Sequence, residues 1–77
     1  MGAAYILIKT HGGKAGQVVK VLRKIKSVKC ADAVTGPFDI IAYVEEKNID
    51  SLGKLIVSKV QNIPGVLETM TCLAVEI

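Results

Sequence analysis

"VTGPFDIIAYVEE", residues Val34 to Glu46, decides how the rest of this chain is read. Gly36 and Pro37 are turn chemistry, one permissive in φ and the other fixing it. The stretch after them is β-branched and aromatic and reads as a strand. Extended backbone sets Ile40, Ala42 and Val44 on one face and Ile41 and Tyr43 on the other, so both faces are apolar, as in the middle of a sheet. Asp39, between turn and strand, is not required by the turn. It either bonds nearby backbone N–H groups or presents a carboxylate at a strand mouth, suited to an ammonium group.

Working outward, "AAYILIKT" (residues 3–10) reads as a first strand with Ile6 and Ile8 on one side and Tyr5 and Leu7 on the other. "HGGKAG" breaks that pattern and opens a helix over residues 14–25, where Ala15, Val18, Leu22 and Ile25 recur at helical spacing. Residues 27–35 return to extended character as a second strand. Asn48 is placed to cap a second helix, with Asp50 in its first turn and Ile49, Leu52, Ile56 and Val60 on its apolar face. "NIPGV" stops that helix, and "VLETMTCLAVEI" is a fourth strand. The order β-α-β-β-α-β is the ferredoxin-like, α+β arrangement, with strands one and three central and strands two and four at the edges.

Two helices cover only one face of such a sheet. The face carrying Tyr5, Leu7, Ile41 and Tyr43 would lie open in a monomer. Burying side chains of this size is worth about 1.5–3 kcal/mol each, against about 5–15 kcal/mol for the whole stability of a small domain. A homodimer formed through the sheets, as a dimeric α/β barrel, is therefore expected, with those four residues at its interface.

The chain has 77 residues, enough for one domain, and 51% of them are hydrophobic, which excludes disorder. The net charge of +3 comes from scattered lysines, a weak footprint for nucleic acid. No run approaches the roughly 18 apolar residues of a membrane span. Two cysteines, Cys30 and Cys72, make no secreted disulfide framework, and they fall on opposite edge strands where they should not pair. A reduced, cytoplasmic protein is the simplest expectation, with no membrane contact.

Catalytic chemistry is thin. His11 is the single histidine and has no acid or nucleophile beside it in sequence. "GGK" at Gly12 to Lys14 lacks the Ser or Thr and the spacing of a phosphate loop. "MTC" at Met70 to Cys72 lacks a second thiolate, since position 75 is Val, so no metal is expected. Tyr5 and Tyr43 are too few aromatics for an RNA-stacking sheet. No catalytic residue and no cofactor are expected, and the chain does not read as an enzyme. A small α/β-barrel enzyme and a ligand-free oligomerisation module are the competing classes.

"VTGPFDIIAYVEEKNIDSLGKLIVSKVQNIPGVLETMTCLAV" closely resembles the ligand-binding (RAM) domain of the Lrp/AsnC regulators: a G-x-F-D turn at Gly36 to Asp39, "IPGV" at Ile63 to Val66, then T-x-T at Thr69 to Thr71. With "YILIKT" and the first helix, the resemblance spans nearly the whole chain. It implies an amino-acid sensor whose homodimers assemble into an octamer or similar ring, with the effector bound between dimers. Carried over, Gly36 and Phe38 would shape the pocket, Asp39 would receive the α-ammonium, and Thr69 and Thr71 would add polar contacts. Members usually carry a helix-turn-helix domain; none fits in residues 1–77, so a single stand-alone ligand-binding domain is expected, with full-length relatives as candidate partners. It would modulate transcription or amino-acid metabolism.

With no recognition helix expected, the chain by itself should bind DNA weakly and without sequence preference. Gel-shift titration with excess competitor DNA checks this; a specific complex surviving at physiological salt would contradict it.

Overall fold

A computed structural model of the chain describes residues 2–77. Strand β1 (Gly2–Thr10) leads into helix α1 (Ala15–Arg23), then β2 (Val28–Ala33), β3 (Ile40–Glu46), helix α2 (Ile49–Leu55) and β4 (Val66–Leu73). Helix α2 runs on into a π-helical turn, Ile56–Val60. The strands form one antiparallel sheet in the order β2-β3-β1-β4. This is the expected α+β, ferredoxin-like topology with β1 and β3 central.

Alternation along the central strands builds the core. Ala4, Ile6 and Ile8 of β1 and Ile40, Ala42 and Val44 of β3 are fully buried under the helices. Val18, Val19 and Leu22 of α1 and Leu52, Leu55, Ile56 and Val60 of the second helical segment pack onto them. Asn48 caps α2 as expected, its side-chain oxygen accepting the Ser51 N–H at 2.8 Å. Arg23, at the end of α1, donates from Nε and Nη2 to the Ala31 carbonyl at 3.1 and 2.9 Å. That covers the outer edge of β2, where an unpaired carbonyl would otherwise invite another strand.

The barrel expectation is corrected. The sheet is open: β2 and β4 are its two edges and do not pair with each other. With β3 and β1 between them they lie about 14 Å apart, taking the ~4.8 Å spacing of paired strands. Closure needs more strands, tilted and staggered together. The elements are also shorter than the sequence suggests. Helix α1 ends at Arg23 because Lys24 and Ile25 bond three residues back, to Val21 and Leu22. Strand β4 stops at Leu73 rather than Ile77: Ala74 still donates to Ala3 at 2.9 Å, but the ladder between β1 and β4 ends at Ala4 opposite Leu73. Cys30 and Cys72 are free thiols on those two edges. Their separation of three strand spacings far exceeds the about 4.4–6.8 Å between Cα atoms that a disulfide tolerates.

Two glycines make opposite predictions. Gly65 sits at φ +100, and a Cβ there would meet Lys14 Cβ at 3.0 Å and Val18 Cγ2 at 3.2 Å. Gly65→Ala should cost about 1–3 kcal/mol, from backbone strain and overpacking together. Gly53 lies inside α2, and a Cβ there meets nothing within 4 Å. Gly53→Ala should stabilise by about 0.5–1 kcal/mol, the helix penalty of glycine. Urea unfolding measures both; equal effects of the same sign would refute the packing described.

Candidate functional site

The Gly36–Asp39 turn caps the sheet where β1 ends and β3 begins. The Val34 N–H donates to the Asp39 carbonyl, and the Asp39 N–H donates to the Ile8 carbonyl, both at 2.9 Å. Gly36 takes φ +141, a value side-chain-bearing residues rarely adopt, so glycine is needed there for the backbone alone. The strand pairing proper ends at Ile8 with Ile40. Beyond it the Asp39 side chain takes over. Its Oδ2 accepts the Thr10 N–H at 2.9 Å and the Thr10 hydroxyl at 3.3 Å.

Asp39 therefore has a structural bond that neither sequence reading contained. The side chain does not close its own turn, and it does not stand free. It binds backbone 29 residues away in sequence and holds the end of β1 to the start of β3. The carboxylate is half-buried. Among the described residues the ion pairs are Lys9 with Glu68 at 3.8 Å and Arg23 with Asp32 at 3.7 Å, so Asp39 carries its charge without a protein cation. A carboxylate held by a backbone N–H and lacking a counter-ion is suited to an incoming ammonium group.

Phe38 turns the other way. The Lys9 ammonium lies 5.8 Å from its ring centroid, within cation–π reach. With Leu7, Val34, Pro37 and Ile41 the ring walls an apolar cup of about 460 Å³, and Gly36 forms part of its rim. Thr69 and Thr71 do not reach this cup. The Thr69 hydroxyl accepts from Gln61 Nε2 at 3.3 Å. Thr71 lines a separate groove of about 400 Å³ against Leu52, Ile56, Val57 and Leu73. Within one chain, then, the structure gathers Gly36, Phe38 and Asp39 in one turn and leaves both threonines on β4. Sequence reasoning missed Thr10, Lys9, Val34 and Gln61. Thr10 and Lys9 had no signal of their own, because their partners are distant in sequence.

The outer sheet face is open as expected. Tyr5 is 49% exposed and Ile41 38%, with Leu7 and Tyr43 half-buried beside them. Tyr5 stands opposite Tyr43, and Leu7 opposite Ile41. The two tyrosine rings lie 4.9 Å apart between centroids. The Tyr43 hydroxyl donates to Glu45 at 3.0 Å, and that bond, then burial and the carboxylate's charge, holds Tyr43 above its ordinary pKa. Cys30, Tyr43, Tyr5 and Cys72 form one row across this face. Among the described residues no cluster of His, Cys, Asp or Glu could hold a metal ion, and no helix is long and apolar enough to cross a membrane.

Comparison with known proteins follows this geometry closely. Residues 3–77 match the model of the Lrp/AsnC ligand binding domain. The uncharacterised HTH-type transcriptional regulator PH1692 of Pyrococcus horikoshii is 35% identical over 74 residues, covering 96% of this chain and 49% of that protein. The chain thus spans about half the length of that relative. The crystal structure of FFRP-DM1 superposes with a TM-score of 0.94 at 33% identity, covering 97% of this chain and 100% of the other. A transcriptional regulator of Neisseria meningitidis, NMB0573, crystallised as a complex with L-Met, has the same fold. Its TM-score is 0.87 at 16% identity, over 97% of this chain and 50% of that one. With its ferredoxin-like sheet and its G-x-F-D turn, this chain belongs to the Lrp/AsnC family, whose ligand-binding domain occupies residues 3–77.

Proposed function

We propose that this chain is an amino-acid-sensing regulatory domain, cytoplasmic and not an enzyme, which binds its effector at the Gly36–Asp39 turn. One observation carries the reading: the Asp39 carboxylate is fixed by Thr10 at the mouth of β3, with no ion-pair partner among the described residues. Family membership supports it. So does a protein of the same fold crystallised with L-Met, in showing that such a fold accepts an amino acid.

In this reading two chains pair through the face of Tyr5, Leu7, Ile41 and Tyr43, and dimers gather into higher assemblies such as an octameric ring. The effector sits between dimers. There Thr69 and Thr71 of a neighbouring chain complete a site that one chain leaves divided. Residues 3–77 act as the ligand-binding domain of such an assembly. Regulation of transcription or amino-acid metabolism then runs through co-assembly with DNA-binding relatives, and the relative from Pyrococcus horikoshii bears the name of such a regulator.

Asp39 separates a binding role from a structural one. Asp39→Asn keeps an acceptor for the Thr10 N–H but removes the charge. A hydrogen bond to a charged group is worth about 1.5–3 kcal/mol, so amino-acid affinity should fall roughly 10- to 150-fold. Asp39→Ala removes the acceptor too and should cost about 1–3 kcal/mol of stability, more than the asparagine variant. Calorimetric titration with the common amino acids, beside melting curves, measures both. Asparagine binding the effector as wild type does would reduce Asp39 to a structural clamp.

Replacing Leu7 and Ile41 together with Asp should bury unpaired charge at the proposed interface and dissociate or unfold the assembly. Light scattering reads the mass. A double variant with wild-type mass and wild-type melting temperature would rule out pairing through this face.

A further inference from the structure

The two edges of the sheet differ in how they are guarded. Arg23 covers β2, and that strand also carries Lys29 and Asp32, charges of the kind that deter pairing with another strand. Strand β4 carries Glu68 as its one charge, and Leu67, Met70 and Leu73 are exposed along it. Among the described residues, side chains bond the backbone of Thr10, Ala31, Ser51, Lys54 and Ser58, none of them in β4. Ala74 donates inward to Ala3, so the alternation of an antiparallel ladder turns the N–H and C=O of Leu73, Thr71 and Thr69 outward. Their side chains share the helix side of the sheet, opposite Ala4, Ile6 and Ile8. About Met70 that row reads the same in both directions: Leu67 and Thr69 before it, Thr71 and Leu73 after it.

We propose that β4 docks against β4 of a second copy of this chain, antiparallel about a two-fold axis at Met70, joining two sheets into one. In that register Thr69 of one copy lies opposite Thr71 of the other, and Leu67 opposite Leu73. The residues with outward backbone groups then face each other and exchange hydrogen bonds. A two-fold interface must be self-complementary, and this axis sets leucine against leucine and threonine against threonine. An axis at Thr69 or Thr71 would set leucine against threonine. Glu68 meets Cys72 in the proposed register, so no like charges oppose each other. Leu73 and Thr71 also wall the groove of about 400 Å³ beside Ile49, Leu52 and Val57. Leu67 of the second copy, set beside Leu73, lies over that groove. Main-chain bonds give such an added strand its affinity, and the side-chain pocket its selectivity. The edge uses none of Tyr5, Leu7, Ile41 and Tyr43, so it is a second contact beside the face assigned to pairing. It holds whether or not the chain binds an amino acid.

Sedimentation velocity on the full chain, without ligand, tests the register through two charge patterns. Thr69→Lys with Thr71→Lys sets lysine against lysine across the axis. Thr69→Lys with Thr71→Glu sets lysine against glutamate. The first variant should associate at least about 10-fold more weakly than the second. It should lose mass relative to wild type, while the second keeps the wild-type mass. Equal masses for the two variants would overturn the proposal. Because charge on β4 could disturb the strand itself, a cross-link gives an independent reading. Glu68→Cys in a Cys30→Ser background, oxidised with glutathione disulfide, should bond position 68 of one copy to Cys72 of the other. Within one chain those positions lie about 13 Å apart along a strand, beyond the about 4.4–6.8 Å that a disulfide tolerates. Peptide mapping that finds no such bond between chains, in a variant melting as wild type does, would also overturn the edge pairing.

Discussion

Two helices cannot cover both faces of a four-stranded sheet whose central strands are apolar on each side. Every larger feature of this molecule depends on that mismatch. One face is sealed: Ile6, Ile8, Ile40 and Val44 are fully buried beneath α1 and α2. The other presents Tyr5, Leu7, Ile41 and Tyr43 in two cross-strand pairs. Such side chains have no reason to be apolar in an isolated chain, because water would oppose their exposure as strongly as burial rewards the inner set. Pairing of two such faces is the simplest way to resolve the mismatch.

The end of the sheet that carries the candidate site is held by contacts between loops. Gly65 approaches Lys14 and Val18 too closely for any side chain, and its carbonyl accepts the His11 N–H at 2.9 Å. Asp39 ties the turn to Thr10. Together these bonds draw the β1–α1 loop, the turn before β3 and the turn before β4 onto one end of the molecule. A ligand bound there, as proposed, would meet groups already in place, which spares the ordering cost that a flexible loop would incur.

The edges behave differently from each other. Arg23 covers β2 by a two-pronged bond to Ala31, whereas β4 is exposed along most of its length and carries Thr69 and Thr71. These threonines stand opposite Ile8 and Ile6, and they meet Gln61 and the second helical segment instead of the turn that holds Asp39. In the proposed reading, a site containing all five residues draws on more than one chain. Under that proposal assembly would be a condition of binding, and an effector bridging chains would shift the assembly equilibrium by its differential affinity for the assembled form.

Much of this was legible in the letters. Alternating apolar residues around the GPFD turn determined a central strand, helical spacing over Ala15 to Ile25 determined α1, and Asn48 determined where α2 starts. These are local properties, governed by neighbours a few residues away, and they suffice for the element order and for which face is left bare. The barrel, the length of β4 and the role of Asp39 were not local. Whether a sheet closes depends on where its edges lie in space, and β4 ends where its ladder with β1 ends, at Leu73 opposite Ala4. Asp39 finds Thr10 across 29 residues, and Lys9 finds Phe38 the same way. No periodicity encodes a bond of that range. It exists only once antiparallel pairing of β1 and β3 has brought the two strand ends together, so the tertiary structure alone decided what the carboxylate holds.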